Sequence, residues 1–215
     1  MLFVWVVTAC SSDPIPAAED ASLGDALPAY TGLTLEFITN DELPATLADG
    51  VQIDEIYLNG AVIRAIGDAT TQDERATTRY DYRLHWDRDD QPRGLSFAAA
   101  PAGEYAYVEL RIAGGPAGGP TEAFEVRGSA RVDGDREDFT IRAAAPVVIA
   151  NVPASMRLEA GRPLTIEIQL NVGKLVEGID FDGLPFQDGK LRLDEGSPAQ
   201  LAAFTDALSG AFRVP

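Results

Sequence analysis

The chain of 215 residues carries 34 acidic against 17 basic side chains, a net charge of −17, with 46% hydrophobic residues. That length leaves room for one large domain with a sizeable core, and the charge opposes binding to nucleic acid or to anionic lipid surfaces. A single cysteine and a single histidine exclude a disulfide and a multi-histidine zinc site.

The chain opens on the apolar run Leu2-Phe3-Val4-Trp5-Val6-Val7. It is too short to span a bilayer, which takes about 20 residues, and suits the apolar region of a leader. Val7-Thr8-Ala9-Cys10 closes the run. An apolar residue and two small residues directly before a cysteine resemble the lipobox of bacterial lipoprotein precursors, in which that cysteine is acylated and becomes the mature N-terminus. Residues 1–9 are therefore expected to be a truncated signal peptide, with translation starting upstream of Met1 because no Lys or Arg precedes the run. Residues 10–29, rich in Ser, Asp, Pro and Ala, read as a lipidated Cys10 and a flexible spacer. Ser11 after that cysteine resembles leaders that send a lipoprotein on to the outer membrane. Residues 30–215 are expected to form one domain.

Leu33-Thr34-Leu35-Glu36-Phe37-Ile38 has the period of a strand, with Leu33, Leu35 and Phe37 on one face. Val51 to Leu58 and Ala61 to Ile66 flank Asn59-Gly60, a strong two-residue hairpin signal. That turn would pair Tyr57 with Val62, Ile56 with Ile63 and Glu55 with Arg64, with apolar residues on both faces of the hairpin. After a polar loop over Asp68 to Ala76, Thr78, Tyr80, Tyr82, Leu84 and Trp86 alternate with Arg79, Asp81, Arg83, His85 and Asp87. This predicts a half-buried strand with the only histidine pointing outward. Its aromatic row is either the core face of a sandwich or a platform on which Tyr80 and Trp86 stack against sugar rings.

Strands are also expected near Leu95 to Ala98 and over Tyr105 to Ala113, the latter with Ala106, Val108, Leu110 and Ile112 on one face. Gly114 to Pro120 reads as an exposed loop, since no Gly-Lys-Ser or Gly-Lys-Thr follows to make a phosphate cradle. Phe124 to Val132 and Glu137 to Ala143 flank Asp133-Gly134, a second hairpin signal that pairs Val126 with Ile141, Phe124 with Ala143 and Glu125 with Arg142. Val147 to Ile149 is expected as a short strand between Pro146 and Pro153, followed by Met156 to Leu158 and an alternating strand over Leu164 to Val172. Ser197-Pro198-Ala199-Gln200 has the pattern of a capping box and opens a helix over 198–209, with Leu201, Phe204, Leu208 and Phe212 at helical spacing and Gly210 as its stop.

These elements predict a mostly β chain: an antiparallel β-sandwich, Ig-like or prealbumin-like, with one C-terminal α-helix. Pro101-Ala102-Gly103-Glu104-Tyr105 leading into Glu109-Leu110-Arg111, then Phe124-Glu125-Val126, then Leu158-Glu159-Ala160-Gly161-Arg162 before an alternating strand, resembles a family of bacterial lipoproteins with a β-sandwich domain of unknown function. The likeness covers roughly residues 31 to 172. Thr39-Asn40-Asp41 matches that family's segment only in part, and the C-terminal helix lies outside it. The resemblance implies the fold and the anchor, not a chemistry.

No Gly-x-Ser-x-Gly elbow occurs, and one imidazole gives little for nucleophilic catalysis. The expected function is a lipid-anchored, extracytoplasmic, non-catalytic binding or structural module of a bacterial envelope, tied to the membrane by its lipid and meeting an envelope protein or a glycan. The alternative is a Ca²⁺-dependent adhesion or carbohydrate-binding module, with Asp87, Asp89 and Asp90 in one acidic turn and Asp180 and Asp182 in another as oxygen ligands. A hydrolase with paired carboxylates comes third.

Overall fold

The computed structural model describes residues 32–68, 74–92, 94–114 and 122–215. Cys10, the leader, the spacer and nearly all of the Gly114 to Pro120 loop lie outside the described residues, as do the side chains of residues 74–81. The strands in chain order are β1 (Leu33–Thr39), β2 (Ala45–Thr46), β3 (Gln52–Gly67), β4 (Glu74–Trp86), β5 (Leu95–Phe97), β6 (Gly103–Ile112), β7 (Phe124–Val132), β8 (Asp135–Ala143), β9 (Val148–Leu158) and β10 (Leu164–Leu170). A single-turn helix α1 (Val172–Leu175), β11 (Phe186–Gln187), β12 (Lys190–Leu193), the helix α2 (Pro198–Ser209) and β13 (Phe212–Arg213) complete the fold.

The strands form two sheets. The smaller has the order β13-β10-β1-β5, and the larger runs β11-β12-β8-β7-β3-β6-β9, with β2 and β4 also paired to β3. The layers are sandwich-like, but the pairing is mixed: β1 runs parallel to β10, and β12 parallel to β8. The expectation of a purely antiparallel sandwich is corrected accordingly. Leu33, Leu35, Phe37, Ile168 and Leu170 from the small sheet meet Ile56, Leu58, Val108, Val126 and Ile141 from the large one in a single core.

Asn59-Gly60 is not a turn. It sits within β3, a 16-residue strand, and the pairings expected across it do not form. β4 lines one edge of β3, while the other edge is shared by β7 over Gln52 to Leu58 and β6 over Gly60 to Gly67. Asn59 lies at the fork between them. Its N–H donates to the Ala123 carbonyl at 2.8 Å, its carbonyl accepts from Ala113 N–H at 3.2 Å, and its side-chain amide donates to the Ala113 carbonyl at 2.7 Å. The fully buried asparagine thus uses its main-chain groups and its side-chain NH₂ to tie the end of β6 to the start of β7, while its Oδ1 has no partner among the described residues. Gly60 is small for a different reason than a turn requires, because a β-carbon there would stand 2.9 Å from the Tyr82 carbonyl oxygen.

Two bulges explain why the sequence of β3 looked apolar on both faces. Register shifts occur between Ile53 and Glu55 opposite β7 and between Gly60 and Val62 opposite β4 and β6. Opposite β7 and opposite β6 the shift places one extra residue on β3 and reverses the parity of the strand beyond it, while opposite β4 the extra residue lies on β4. Ile53, Ile56, Leu58, Ile63 and Ala65, which strict alternation would divide between two faces, are consequently all fully buried.

The Asp133-Gly134 turn forms as expected, with φ of 52° and 94°, and Phe124, Glu125 and Val126 face Ala143, Arg142 and Ile141. Val147 to Ile149 and Met156 to Leu158 are not separate pieces. β9 runs through Pro153 because it is the last strand of its sheet, where a missing N–H need not interrupt a ladder. The helix spans Pro198–Ser209 and buries Leu201, Phe204 and Leu208, with Phe204 against Phe124 at 4.9 Å between ring centroids. Its capping box is absent: the Ser197 side chain makes no cap hydrogen bond. Phe212 lies beyond the helix, in β13, where it pairs with Leu170.

Candidate functional site

The outward face of β3, β4 and β7 carries a connected group of charges. β-Alternation sends Glu55, His85, Glu125 and Arg127 to that face. The Asp54 bulge displaces the register so that Glu55 faces Arg127 across β7. His85 Nε2 lies 2.9 Å from Glu55 Oε1 and 3.7 Å from Asp87 Oδ2, and its Nδ1 lies 3.4 Å from Asp90 Oδ2. Arg127 bridges Glu55 at 2.8 Å and Glu125 at 2.5 Å. Burial disfavours the Arg127 cation, but its bonds to Glu125 and the charges of Glu125 and Glu55 outweigh it and raise its pKa. Both imidazole nitrogens of His85 already face carboxylates, so the ring offers neither freely to a substrate. The arrangement is a cross-strand charge ladder.

The Asp87 to Asp90 turn uses a carboxylate to hold its own backbone. Asp87 Oδ1 accepts the N–H groups of both Asp89 and Asp90 at 2.7 Å. These two bonds, with the nearby His85 as the smaller cause, hold the Asp87 carboxyl below its ordinary value. Glu195 is lowered in the same way, first by the Ala144 N–H at 2.9 Å and then by its own. Asp180 and Asp182 lie in the exposed loop after α1. Among the described residues no group of three or more His, Cys, Asp or Glu is arranged to hold a metal ion. Asp87, Asp89, Asp90, Asp180 and Asp182 therefore do not converge as the ligand set that the sequence suggested. Trp86 is corrected too: it is 0% exposed, so its ring faces the core and offers no face to a sugar. The Tyr80 side chain lies outside the described residues.

The two lowered carboxyls set an acid dependence. A depressed folded pKa contributes stability that is fully present above the unfolded value, about 4, and is lost as pH falls through the folded one. An Asp87→Ala/Glu195→Ala double variant should accordingly be less stable than wild type in urea at about pH 7 and should close most of that gap near about pH 2. Equal gaps at both pH values would show that the two carboxylates contribute no charge-dependent stability.

The open seam between the sheets is the second candidate and the better one. A groove of about 500 Å³ lies where β9, the edge of the large sheet, passes β10 of the small one. Ala154, Met156, Leu164, Ile166, Val214 and Pro215 give it apolar walls, with Thr165, Ser155 and Glu167 at its rim. β10 is fully paired with β1 on one side, Leu33 to Thr39 against Leu164 to Leu170. On the other side, among the described residues, β13 covers only Gln169 and Leu170. Sequence reading identified the alternation of β10, but alternation does not reveal whether a strand edge is paired. Among the described residues no helix is long and apolar enough to cross a membrane. No protein-family model matches the chain, and no curated protein or solved structure is significantly similar to it.

Proposed function

We propose that this chain is a lipid-anchored, extracytoplasmic module of a bacterial envelope that binds rather than catalyses, held to the outer membrane through Cys10. The seam groove carries this reading: an apolar channel beside an unpaired strand edge can recognise a partner through shape and main-chain hydrogen bonds, without any reactive side chain. The lipobox-like Val7-Thr8-Ala9-Cys10 supports the anchor, and the Ser, Asp and Pro content of the spacer would give the domain reach above the membrane. We place the sandwich near the Ig-like and prealbumin-like arrangements and near the lipoprotein family that its turns resemble. The support is two facing sheets with a hairpin at Asp133-Gly134 and a turn at Pro101 to Tyr105, where Tyr105 Oη donates to the Pro101 carbonyl at 2.7 Å.

The anchor is tested by expressing the chain behind a complete leader in a bacterial host with labelled palmitate. Wild type should take up label and sediment with membranes, and Cys10→Ser should do neither. Wild-type protein that takes up no label would sink the anchor, whatever the groove binds.

A further inference from the structure

We infer that the open edge of β10 receives an extended, basic segment of a partner protein, which adds to the small sheet as a strand in line with β13. The inference rests on the reading of the chain as a binding module and supplies its class of partner. It begins with backbone direction. Leu164 N–H donates to the Gly32 carbonyl and the Leu170 carbonyl accepts from Asn40 N–H, so both residues turn their main-chain groups toward β1. The period of two then turns Thr165, Glu167 and Gln169 the other way. Gln169 meets Arg213 of β13, but the ladder ends there, and Val214 and Pro215 line the groove without pairing to Ile168 and Glu167. Among the described residues nothing pairs with the N–H and C=O groups of Thr165 and Glu167, which lie on an edge beside an apolar groove. Such an edge is a template for another strand. The facing edge of β9 is less suitable, since Pro153 stands within it and cannot donate.

Side-chain chemistry selects the occupant. A strand laid along this edge would point alternate side chains into the groove over Ile166 and Met156, and the others outward opposite Thr165 and Glu167. Inward positions call for apolar residues. Outward positions call for cations, because Glu167 is exposed, has no ion-pair partner among the described residues, and belongs to a chain of net charge −17. The same charge disfavours a second copy, which would bring a like-charged molecule and its own Glu167 to the edge.

The test uses the full-length Cys10→Ser chain and a fluorescent peptide of alternating Lys and Val, followed by anisotropy at fixed salt. The Lys-Val peptide should bind, and the matching Glu-Val peptide at least about tenfold more weakly. N-methylation of the Lys amides, which would face β10, should abolish binding; methylation of the Val amides, which would face away, should leave it. Thr165→Pro removes only an edge N–H and no bond to β1, so it should weaken binding at least about tenfold with the melting curve retained. Glu167→Lys should reverse the preference between the two peptides and serves as an independent variant should Thr165→Pro fail to fold. Absence of Lys-Val binding overturns the proposal, as does binding indifferent to the parity of methylation, which would be mere attraction to an acidic surface. A dimer of the peptide-free chain that Thr165→Pro dissociates would also overturn it, by assigning the edge to a second copy.

Discussion

Replacing Gly128 by alanine should destabilise the domain by about 3 kcal/mol or more, at the top of the range for inserting atoms into a packed interior. Gly128 lies in β7 opposite the Asp54 bulge, paired with Ile53. The bulge pushes the main chain of β3 toward β7, and a β-carbon at position 128 would overlap the Gln52 carbonyl oxygen and stand 2.8 Å from Phe139 Cζ. Neither obstacle is a flexible side-chain end: one is backbone within a ladder, and Phe139 is 1% exposed. Relief requires β3 and β7 to separate at the point where the bulge sets the parity of Ile56 and Leu58. At about 2 to 4 °C per kcal/mol for a domain of this size, the midpoint should fall by at least about 6 °C. Gly134→Ala is the comparison, since its φ of 94° strains the backbone but nothing among the described residues lies within 4 Å of the added carbon. That variant should cost only about 1 to 2 kcal/mol. A Gly128→Ala protein as stable as Gly134→Ala would mean that β3 and β7 do not approach as closely as described.

The contrast between two dipeptides shows what was legible in the sequence. Asp133-Gly134 and Asn59-Gly60 carry the same local signal, yet only the first turns the chain. The first is flanked by strands whose apolar and charged residues match across the turn in one register, so local chemistry and long-range pairing agree. At Asn59 both edges of β3 are occupied, and the buried asparagine uses its hydrogen bonds on the ends of β6 and β7 instead. That choice depends on strands far away in sequence. A third signal, Asp188-Gly189, makes the small β11–β12 hairpin with φ of 51° and 80°, a turn that the segment's shortness concealed.

The candidate site was less legible than the fold for a related reason. Composition and alternation mark which side chains point outward, and they placed His85 outside and Leu84 inside as observed. They also drew attention to acidic turns, in one of which the Asp87 carboxylate instead accepts backbone N–H groups of its own loop. The groove is defined by what is missing beside a strand, the pairing that β13 does not extend past Gln169. Unpaired main-chain groups leave no mark on side-chain identity. β13 itself was hidden, because Phe212 continues the helical spacing of Leu201, Phe204 and Leu208 although Gly210 ends the helix before it.

Trp86→Ala should cost about 3 to 5 kcal/mol, the range for truncating a buried large aromatic, and should lower the midpoint by at least about 6 °C. Trp86 ends β4 opposite Ile56, is 0% exposed, and ranks first by volume among the fully buried side chains. Its loss would leave a cavity beneath the β3–β4 pairing, next to the strand around which the large sheet forks. Trp86→Phe separates volume from polarity. The indole Nε1 is buried without a hydrogen-bond partner among the described residues, so phenylalanine removes an unsatisfied donor, a gain of about 1 to 3 kcal/mol, while losing part of the packed area. The Phe variant should therefore lie much closer to wild type than to the Ala variant in a urea titration. A ring that served a ligand would behave in the opposite way: truncation would leave stability nearly unchanged and abolish binding. If Trp86→Ala melts within about 1 kcal/mol of wild type, the ring is not part of the core, and the aromatic face of β4 returns as a surface for sugars.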